Sequence, residues 1–374
     1  MKRNKSLQVY FKEQLVGTLA ITVNKNVAFE YDDNWLTKGF SISPFSLPLE
    51  KKVFLPQKQY FDGLFGVFAD SLPDAWGRLL LDRVLMENGI KPADISVIDR
   101  LAIIGSSGMG ALRYFPEQII TAEKTVLDLD MLASESKKVL EAEYTQELDA
   151  LYKLAGTSGG ARPKVMMEID DIDWIIKFPD RGEDSNAGKR EYEYSLCAKE
   201  CGIIMTQTRL FPSSQCNGYF GIERFDRVKT GINIERKHVL TAAALLELDF
   251  VQPSLDYNEL MKLTKILTNN NAEHMENMFR RACFNVFAFN RDDHSKNFSF
   301  IYDENTNRWQ LSPAYDLTFS NTYYGEHTTS VDGNGKNPGE KELLQVGLKS
   351  GMNKNLCLSI VDEIRDKVHT QLNI

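Results

Sequence analysis

Hydrophobic and polar residues alternate along three stretches near the start of the chain, at residues 7–23, 26–33 and 39–48. A repeat of two residues is typical of strands that bury one face, because successive side chains point to opposite sides of a sheet. The polar breaks between these stretches are short. This region is therefore predicted to form antiparallel strands and hairpins.

Further along the chain, the repeat lengthens to that of helices. Apolar residues recur at helical spacing over residues 61–90, and an acidic helix pair is predicted over 121–155. Residues 156–228 are predicted to contain strands, loops and one helix, and a mainly helical pattern begins near residue 238. Residues 325–340 are rich in Gly and Asn, and we expect a long mobile loop there.

These changes of pattern predict three domains. A β-rich N-terminal subdomain spans residues 1–120, a small lobe with connecting helices, a Gly-rich loop and a hinge spans 121–230, and a helical large lobe spans 231–374. The expected fold class is α+β, a two-lobed protein-kinase-like fold with an extra N-terminal β-rich subdomain. Because a fold does not establish a function, the site has to be argued from individual residues.

Charge and cysteine content exclude several classes of protein. The 374 residues include 44 basic and 52 acidic ones, and this net charge of −8 argues against an autonomous nucleic-acid binder. The five cysteines are scattered without a Cys-x-x-Cys pair, so a reducing compartment is expected rather than a disulfide scaffold. No run approaches the roughly 18 apolar residues of a membrane span. We expect a cytoplasmic protein.

The strongest chemical motif is the stretch NRDDHSKN, from Asn290 to Asn297. Asp292 and Asn297 are five residues apart, which is the spacing of the catalytic loop in protein kinases. One carboxylate has to orient the attacking hydroxyl and accept its proton, while a nearby amide oxygen holds a divalent ion without adding a second full charge. The simpler alternative is that Asp292 and Asp293 cap a turn.

Two further charged residues complete the pattern of a phosphotransfer site. Asp316 follows a predicted strand in the turn LSPAYDL, where a kinase places its metal-binding Asp. Lys177 ends the apolar stretch WIIK, and a lysine among apolar strand residues is costly unless it is paired. Glu191 is preferred to Glu193 as its partner. The alternative is that Lys177 extends from a strand edge into solvent.

A Gly-rich loop for phosphates is expected over residues 156–165, GTSGGARPKV. Its small residues let backbone amides approach phosphate oxygens, although the Walker A pattern is absent. Residues 105–110 are equally Gly-rich and are interpreted as a structural turn. Residues 219–227, YFGIERFDR, are placed as the hinge that contacts adenine, with Phe225 lining the base pocket. The alternative is an exit strand with an Arg–Asp surface pair.

Together these residues resemble the HipA family of bacterial toxin kinases over nearly the whole chain. The resemblance rests on five motifs, which are DDHSKNFS at 292–299, SPAYD at 312–316, IKFP at 176–179, ERFDR at 223–227 and FADSLPD at 68–74. The last of them is similar to the N-terminal subdomain of the family.

The resemblance implies a serine/threonine kinase that uses ATP and Mg²⁺. Known members inhibit translation by phosphorylating aminoacyl-tRNA synthetases, in the best-studied case glutamyl-tRNA synthetase. They usually pair with a small helix-turn-helix antitoxin of the HipB type, which binds operator DNA. The implied partners are therefore a protein substrate and an antitoxin, with DNA contacted only through the antitoxin and no membrane.

The resemblance also implies roles for individual residues. Asp292 becomes the catalytic base, Lys296 helps to neutralise the transferred phosphoryl group, and Asn297 and Asp316 become the Mg²⁺ ligands. The residues expected at the nucleotide are Lys177, Glu191, Glu223, Phe225, His294, Gly159, Gly160 and Ala161.

Family members also phosphorylate a serine near their own Gly-rich loop, which expels the loop and switches the kinase off. A phosphate there would repel the phosphates of the nucleotide. Thr157 and Ser158 both lie in the corresponding place, and Ser158 is the preferred candidate.

Two other interpretations remain open. A small-molecule kinase shares the catalytic Asp, the nearby Asn and the second Asp, but the β-rich module at residues 1–115 favours the toxin family. A catalytically silent co-repressor would hold a DNA-binding partner and use nucleotide only as a switch. The intact set of Asp292, Asn297, Asp316 and Lys177 argues against the co-repressor, and ATP turnover separates it from the two kinases.

Overall fold

The computed structural model of the chain mixes helices and strands. It describes residues 3–120, 128–155, 159–231, 233–249, 252, 254–322 and 324–374. No helix in these ranges is both long and apolar enough to cross a membrane.

Most helices follow the predicted changes of pattern, but the stretch predicted to be helical from about residue 238 begins with a strand over His238–Thr241. In chain order they are α1 (Asp33–Lys38), α2 (Gly66–Ala69), α3 (Ala75–Glu87), α4 (Val97–Ile104), α5 (Leu129–Leu140), α6 (Leu148–Ala155), α7 (Ala187–Glu200), α8 (Ala242–Leu246), α9 (Tyr257–Leu267), α10 (Ala272–Phe287), α11 (Glu340–Ser350) and α12 (Lys354–Leu372). The helix pair predicted over 121–155 is α5 and α6. The helical pattern of 61–90 is divided into α2 and α3, because Pro73 disfavours a helical backbone at the residue before it.

The strands form several small sheets. In chain order they are β1 (Ser6–Phe11), β2 (Gln14–Ile21), β3 (Val27–Tyr31), β4 (Val53–Phe54), β5 (Leu112–Phe115), β6 (Lys164–Ile169), β7 (Ile172–Lys177), β8 (Thr208–Phe211), β9 (Tyr219–Glu223), β10 (Arg227–Thr230), β11 (Asn233–Arg236), β12 (His238–Thr241), β13 (Ser299–Asp303) and β14 (Arg308–Leu311). The first sheet has the order β4-β3-β2-β1-β5 with antiparallel pairs throughout, which confirms the predicted hairpins.

The chain divides into two compact units. Unit 1 comprises residues 1–188, 210–240 and 244–247, and unit 2 comprises residues 189–209, 241–243 and 248–374. The three predicted domain boundaries stay a prediction.

In unit 1, alternate residues of the first sheet form a core. Val9, Leu19 and Phe29 are fully buried, as a period of two requires. In the second sheet of this unit, β7 pairs with both β6 and β9. The indole of Trp76, in α3, donates a hydrogen bond to the carbonyl of Lys164 at 3.1 Å. This bond connects α3 to the first strand of the second sheet.

The Gly-rich turn at residues 105–110 is held by arginines from the stretch after β9. Arg227 and Arg236 both donate hydrogen bonds to the carbonyls of Gly108 and Gly110. Asp226 accepts from the backbone N–H of Gly110 at 2.9 Å. These contacts agree with the interpretation of residues 105–110 as a structural turn.

The core of unit 2 lies between its long helices. Phe279 and Phe284 of α10 are fully buried, as are Leu343 of α11 and Ile364 of α12. A capping box begins α9, where Asp256 and Glu259 bond to the first backbone N–H groups. The core therefore fixes the end of α10, from which the NRDDHSKN motif continues.

The segment predicted as a long mobile loop, residues 325–340, is held in place where it passes α9. His327, Thr329 and Val331 are buried, and the backbone N–H of Tyr257 donates to the carbonyl of Ser330 at 2.9 Å. The prediction of mobility is therefore wrong for this part of the segment. The Gly and Asn content on which it was based gives no information about these distant partners.

Candidate functional site

In unit 2, the NRDDHSKN motif forms a compact loop between α10 and β13. Phe289 leaves α10 in the left-handed region, with φ of 51°, and a short 3₁₀ turn covers Ser295–Asn297. The Nδ1 atom of His294 accepts a hydrogen bond from the N–H of Lys296 at 3.3 Å and so caps that turn. The loop thereby places Asp292 and Asn297 close together.

Asp292 and Asn297 are joined by a hydrogen bond. The Nδ2 atom of Asn297 donates to the carbonyl of Asp292 at 2.7 Å, which leaves the amide oxygen Oδ1 to accept or to ligate a cation. The side chain of Asp292 is 60% exposed, and its Oδ1 atom lies 4.0 Å from Nε2 of His294. An exposed carboxylate beside an oriented amide oxygen is suited to an approaching hydroxyl.

The neighbouring Asp293 has the opposite environment. Its side chain is fully buried, and its carboxylate accepts hydrogen bonds from the hydroxyl of Tyr257 at 2.9 Å and the N–H of Thr329 at 3.0 Å. Nδ1 of His327 lies 3.0 Å from Oδ2 of Asp293 and donates to it, because a carboxylate can only accept. Asp293 is therefore anchored inside unit 2, whereas Asp292 faces solvent.

Asp316 is tied to the same loop. Its backbone is left-handed, with φ of 54°, which Asp tolerates better than most residues. Its carbonyl accepts from Nδ2 of Asn290 at 3.1 Å, and the hydroxyl of Tyr315 donates to the carbonyl of Lys296 at 2.7 Å. Unit 2 thus brings Asp292, His294, Lys296, Asn297 and Asp316 into one arrangement.

The donor atoms in unit 2 fit a hard divalent cation. One carboxylate and one amide oxygen are oxygen ligands of the kind that Mg²⁺ prefers when substrate phosphates and waters complete its shell. Across the described ranges, His, Cys, Asp and Glu side chains form no cluster of three that could hold a metal ion. An ion shared with a phosphate substrate would suit the oxygen ligands of Asn297 and Asp316.

Unit 1 contains a pair of lysines on adjacent strands. Lys164 of β6 lies opposite Lys177 of β7 in the antiparallel register, and both residues are buried. Nζ of Lys177 lies 5.8 Å from the ring centroid of Phe220 on the next strand. Like charges directly opposite each other are unfavourable in a sheet. Such a pair is suited to an anion with several charges.

The inner end of the Gly-rich loop lies beside these lysines. Nζ of Lys164 donates to the carbonyl of Gly159, and the N–H of Gly160 donates to the carboxylate of Asp74 at 3.2 Å. Gly160 has φ of 87°, and a Cβ atom there would lie 2.7 Å from Nζ of Lys164. Gly159 and Ala161 are exposed and Gly160 is half-buried. The loop therefore keeps small residues where the lysine ammonium lies.

Lys164 and Asp74 were not among the predicted site residues. The motif GTSGGARPKV contains Lys164, and the period of two places its side chain opposite that of Lys177 once the two strands pair. Asp74 is far from the loop in sequence, so no local sequence pattern predicts its hydrogen bond to Gly160.

The two helix carboxylates considered as partners of Lys177 differ in exposure. Glu191 is 1% exposed, whereas Glu193 is exposed and lies 3.7 Å from Lys189 in an i,i+4 pair. Only Glu191 is therefore placed as an inward-facing carboxylate. Its assignment to the nucleotide stays a prediction.

Half-buried and buried residues alternate along the predicted hinge. Glu223 and Phe225 are half-buried, whereas Arg224 and Asp226 between and after them are buried. Arg224 and Asp226 pair through two hydrogen bonds of 2.9 Å, so the alternative of a surface pair is wrong. Burial acts to raise the pKa of Asp226, but Arg224 and Arg227 outweigh it and lower that pKa to about 2.

The predicted site residues thus fall into two groups. Asp292, His294, Lys296, Asn297, Asp316 and Glu191 belong to unit 2, and Lys177, Gly159, Gly160, Ala161, Glu223 and Phe225 belong to unit 1. The autophosphorylation candidates Thr157 and Ser158 lie outside the described residues.

Comparisons with known proteins identify the family of the chain. Two family models match, the HipA N-terminal domain at residues 7–115 and the HipA-like C-terminal domain at residues 156–372. The protein named "Putative kinase Y4mE" from Sinorhizobium fredii (strain NBRC 101917 / NGR234) is 25% identical over 348 residues, which cover 85% of this chain and 78% of that protein.

A solved structure shares the fold. A chain in the complex of HipA, HipB and its operator DNA from Shewanella oneidensis MR-1 superposes with a TM-score of 0.73 at 19% identity, over 98% of this chain and 90% of that chain. This match confirms the predicted α+β fold class.

Proposed function

The chain belongs to the HipA family, and we propose that it is a serine/threonine protein kinase that uses ATP and Mg²⁺. Its family membership and the kinase name of the Sinorhizobium relative support a kinase of the HipA type. The observation that carries the finer proposal is the loop in which exposed Asp292 is bonded to Asn297 and connected to Asp316 through Asn290 and Tyr315.

In this proposal, Asp292 orients the acceptor hydroxyl and takes its proton. Its exposure lets a protein side chain reach it, and its backbone is held by Asn297. Asn297 and Asp316 would hold Mg²⁺, which when bound neutralises charge on the phosphate oxygens. Lys296 lies in the same turn and would add positive charge near the transferred group.

The nucleotide is assigned to the remaining residues. Lys177 and Lys164 would bind phosphate oxygens with their ammonium groups, while the backbone N–H groups of Gly159 and Ala161 would approach the same phosphates. Glu223 and Phe225 would contact adenine at the hinge, and Glu191 and His294 would support the nucleotide. Such a site acts by positioning and by neutralising charge, which is the main requirement of phosphoryl transfer.

The substrate and partners follow from the family resemblance. We propose that the acceptor is a Ser or Thr of a translation protein, an aminoacyl-tRNA synthetase, and that an antitoxin of the HipB type is the partner that contacts DNA. Self-phosphorylation at Ser158, or at Thr157, is proposed as the switch that turns the kinase off. We also place the protein in the cytoplasm, because its five cysteines are free thiols.

The test is phosphate transfer from γ-labelled ATP with Mg²⁺ in a cell lysate, comparing the wild-type protein with Asp292→Asn. The control is Asp362→Asn, because the side chains of Asp362 and Asp292 are both 60% exposed and Asp362 lies on α12. We expect label on one synthetase and on the Gly-rich loop with the wild type and the control. Asp292→Asn should lose both while still binding ATP.

Other results would change the assignment. Asp292-dependent label on a small molecule would favour the small-molecule kinase. Tight ATP binding without turnover would favour the silent co-repressor. Self-phosphorylation of the loop in Ser158→Ala would reassign the modified residue to Thr157.

A further inference from the structure

The buried Asp293 joins two segments that are distant in sequence. One oxygen of its carboxylate receives hydrogen bonds from Tyr257 of α9 and from His327, and the other receives the backbone N–H of Thr329. The hydroxyl of Thr329 donates to the backbone carbonyl of Asp293 as well. Three donors therefore satisfy the carboxylate, and two of them, from His327 and Thr329, connect the catalytic loop to residues 327–329.

The segment that follows Asp316 is also hydrogen-bonded to residues that precede Asp293. The N–H and the hydroxyl of Thr328 both bond to the carbonyl of Arg291, at 2.9 and 3.0 Å. Before it, the N–H of Ser320 donates to the carbonyl of Phe289 at 3.1 Å. Arg291 and Asp293, which flank Asp292, are thus both hydrogen-bonded to the segment that follows Asp316.

A further chain of polar groups leads from Asp293 to Asp316. Asn285 donates to the hydroxyl of Tyr257 at 2.8 Å and accepts from Asn290 at 2.9 Å. Asn290 also donates to the carbonyl of Asp316 at 3.1 Å. All the side chains that link Asp293 to Asp316 in this way are buried. A displacement of Asp293 would therefore act on the backbone at both Asp292 and Asp316.

Other kinases order the corresponding segment by modification. The segment after the metal-binding Asp is commonly ordered by a phosphate that pairs with arginines. Here a carboxylate of the catalytic loop supplies the negative charge from inside, and the N–H groups of His327 and Thr329 satisfy it. A buried carboxylate is costly unless it is fully hydrogen-bonded, so apolar residues would have been the simpler way to build this core.

We propose that Asp293 is a positioning residue that fixes residues 327–329 against the catalytic loop and so holds Asp292 ready for transfer without phosphorylation of that segment. The inference rests on the proposed kinase function. Asp293 itself is buried and touches neither acceptor nor nucleotide in this proposal. His327 is its outer partner and can be changed without removing any residue of the catalytic loop.

The test compares His327→Ala with His327→Asn. Asparagine places an N–H donor close to the position of Nδ1, so it should restore the bond to Asp293 that alanine removes. The control is Asp256→Asn, because Asp256 holds the same segment from α9, through Ser330 at 2.6 Å and the N–H of Gly333 at 2.8 Å. The probe is the lysate protein that the wild type labels in an Asp292-dependent manner.

We expect His327→Ala to lower the labelling rate at saturating ATP at least tenfold, with the apparent KM for ATP within twofold of the wild type. His327→Asn should recover most of the rate. Asp256→Asn should keep the rate within twofold even if its melting temperature falls as far as that of His327→Ala. Hydrogen exchange over residues 325–331 should rise in His327→Ala, and phosphatase treatment should not lower the rate of the wild type.

Several outcomes would overturn this inference. One is a His327→Ala rate within twofold of the wild type while exchange over 325–331 rises. Another is a loss of rate that follows melting temperature equally in the His327 and Asp256 variants. Inactivation of the wild type by phosphatase would refute independence from phosphorylation. A wild type that transfers no phosphate at all would instead refute the proposed function on which the inference rests.

Discussion

The ammonium groups of Lys164 and Lys177 are the features of unit 1 most directly connected to phosphate chemistry. They lie opposite each other on β6 and β7, and each residue is less than a tenth exposed. A bound polyphosphate would accept charge-assisted hydrogen bonds from both groups.

Lys164→Ala should therefore weaken ATP binding as much as Lys177→Ala does. A hydrogen bond to a charged group contributes about 1.5–3 kcal/mol, so each change should raise the Kd for ATP about tenfold or more. The measurement is calorimetric titration of Mg–ATP, with the exposed Lys38→Ala as the control. A Kd for Lys164→Ala that equals the control value would restrict phosphate binding to Lys177.

At this scale, sequence reasoning found the chemistry but not every residue that carries it. The spacing of Asp292 and Asn297 predicted a loop that the structure closes with a hydrogen bond. The spacing selected Asp292 but did not reveal that Asp293 is buried, because the burial of Asp293 depends on Tyr257 and His327, which lie far away in the chain. The role of Lys164 likewise depends on strand register rather than on its neighbours in sequence.

Among the elements of unit 1, the stretch after β9 and the Gly-rich turn form a buried charged cluster. Asp226 pairs with Arg224 and Arg227 at 2.9 and 2.6 Å, and Arg236 donates to carbonyls of the turn. Burial and the neighbouring Arg227 lower the pKa of Arg236 to about 9. One carboxylate thus balances several guanidinium groups, and its loss would leave buried positive charge without compensation.

Asp226→Ala should accordingly destabilise unit 1. Removing one partner of a buried ion pair costs about 3–5 kcal/mol, because the other charge stays buried. The control is Glu235→Ala, which removes a partly exposed carboxylate that pairs with Lys12 at 3.2 Å and should cost at most about 1 kcal/mol. The measurement is the free energy of unfolding in urea. Equal values for the two variants would mean that backbone carbonyls alone satisfy the arginines.

The elements themselves were largely predictable, and the exceptions have a common cause. Alternation predicted the first sheet, and helical spacing predicted α5, α6, α9 and α10. The segment at 325–340 was expected to be mobile because Gly and Asn have a low propensity for helices and strands. Its anchors are buried partners on α9 and in the catalytic loop, and a pattern read along one segment contains no information about them.

For the molecule as a whole, one buried imidazole makes a calculable contribution to the change of stability with pH. His238 is 2% exposed, packs on the rings of Phe11 and Phe40, and its Nε2 atom lies 2.8 Å from the carbonyl of Ile42. Burial lowers the pKa of His238 to about 4, and the hydrogen bond to Ile42 opposes this only in part. The folded protein therefore holds this histidine neutral at pH values where the unfolded chain protonates it.

The sign of the effect follows from proton counting. Between the folded pKa of about 4 and the unfolded value of 6.5, the unfolded state binds more protons, so stability falls as the pH falls through that window. From pH 7 to pH 5 this one group should cost about 2 kcal/mol of unfolding free energy. Asp226 adds a loss of the same sign only at lower pH, because its pKa of about 2 lies below its ordinary value.

His238→Gln should remove this dependence, because glutamine does not titrate and its amide can still donate to Ile42. The variant should be less stable than the wild type at pH 7, since it loses the ring contacts, but its further loss on going to pH 5 should be smaller by about 2 kcal/mol. Urea unfolding at both pH values measures the difference, with the exposed His369→Gln as the control. Parallel losses in all three proteins would show that other groups set the pH dependence of folding.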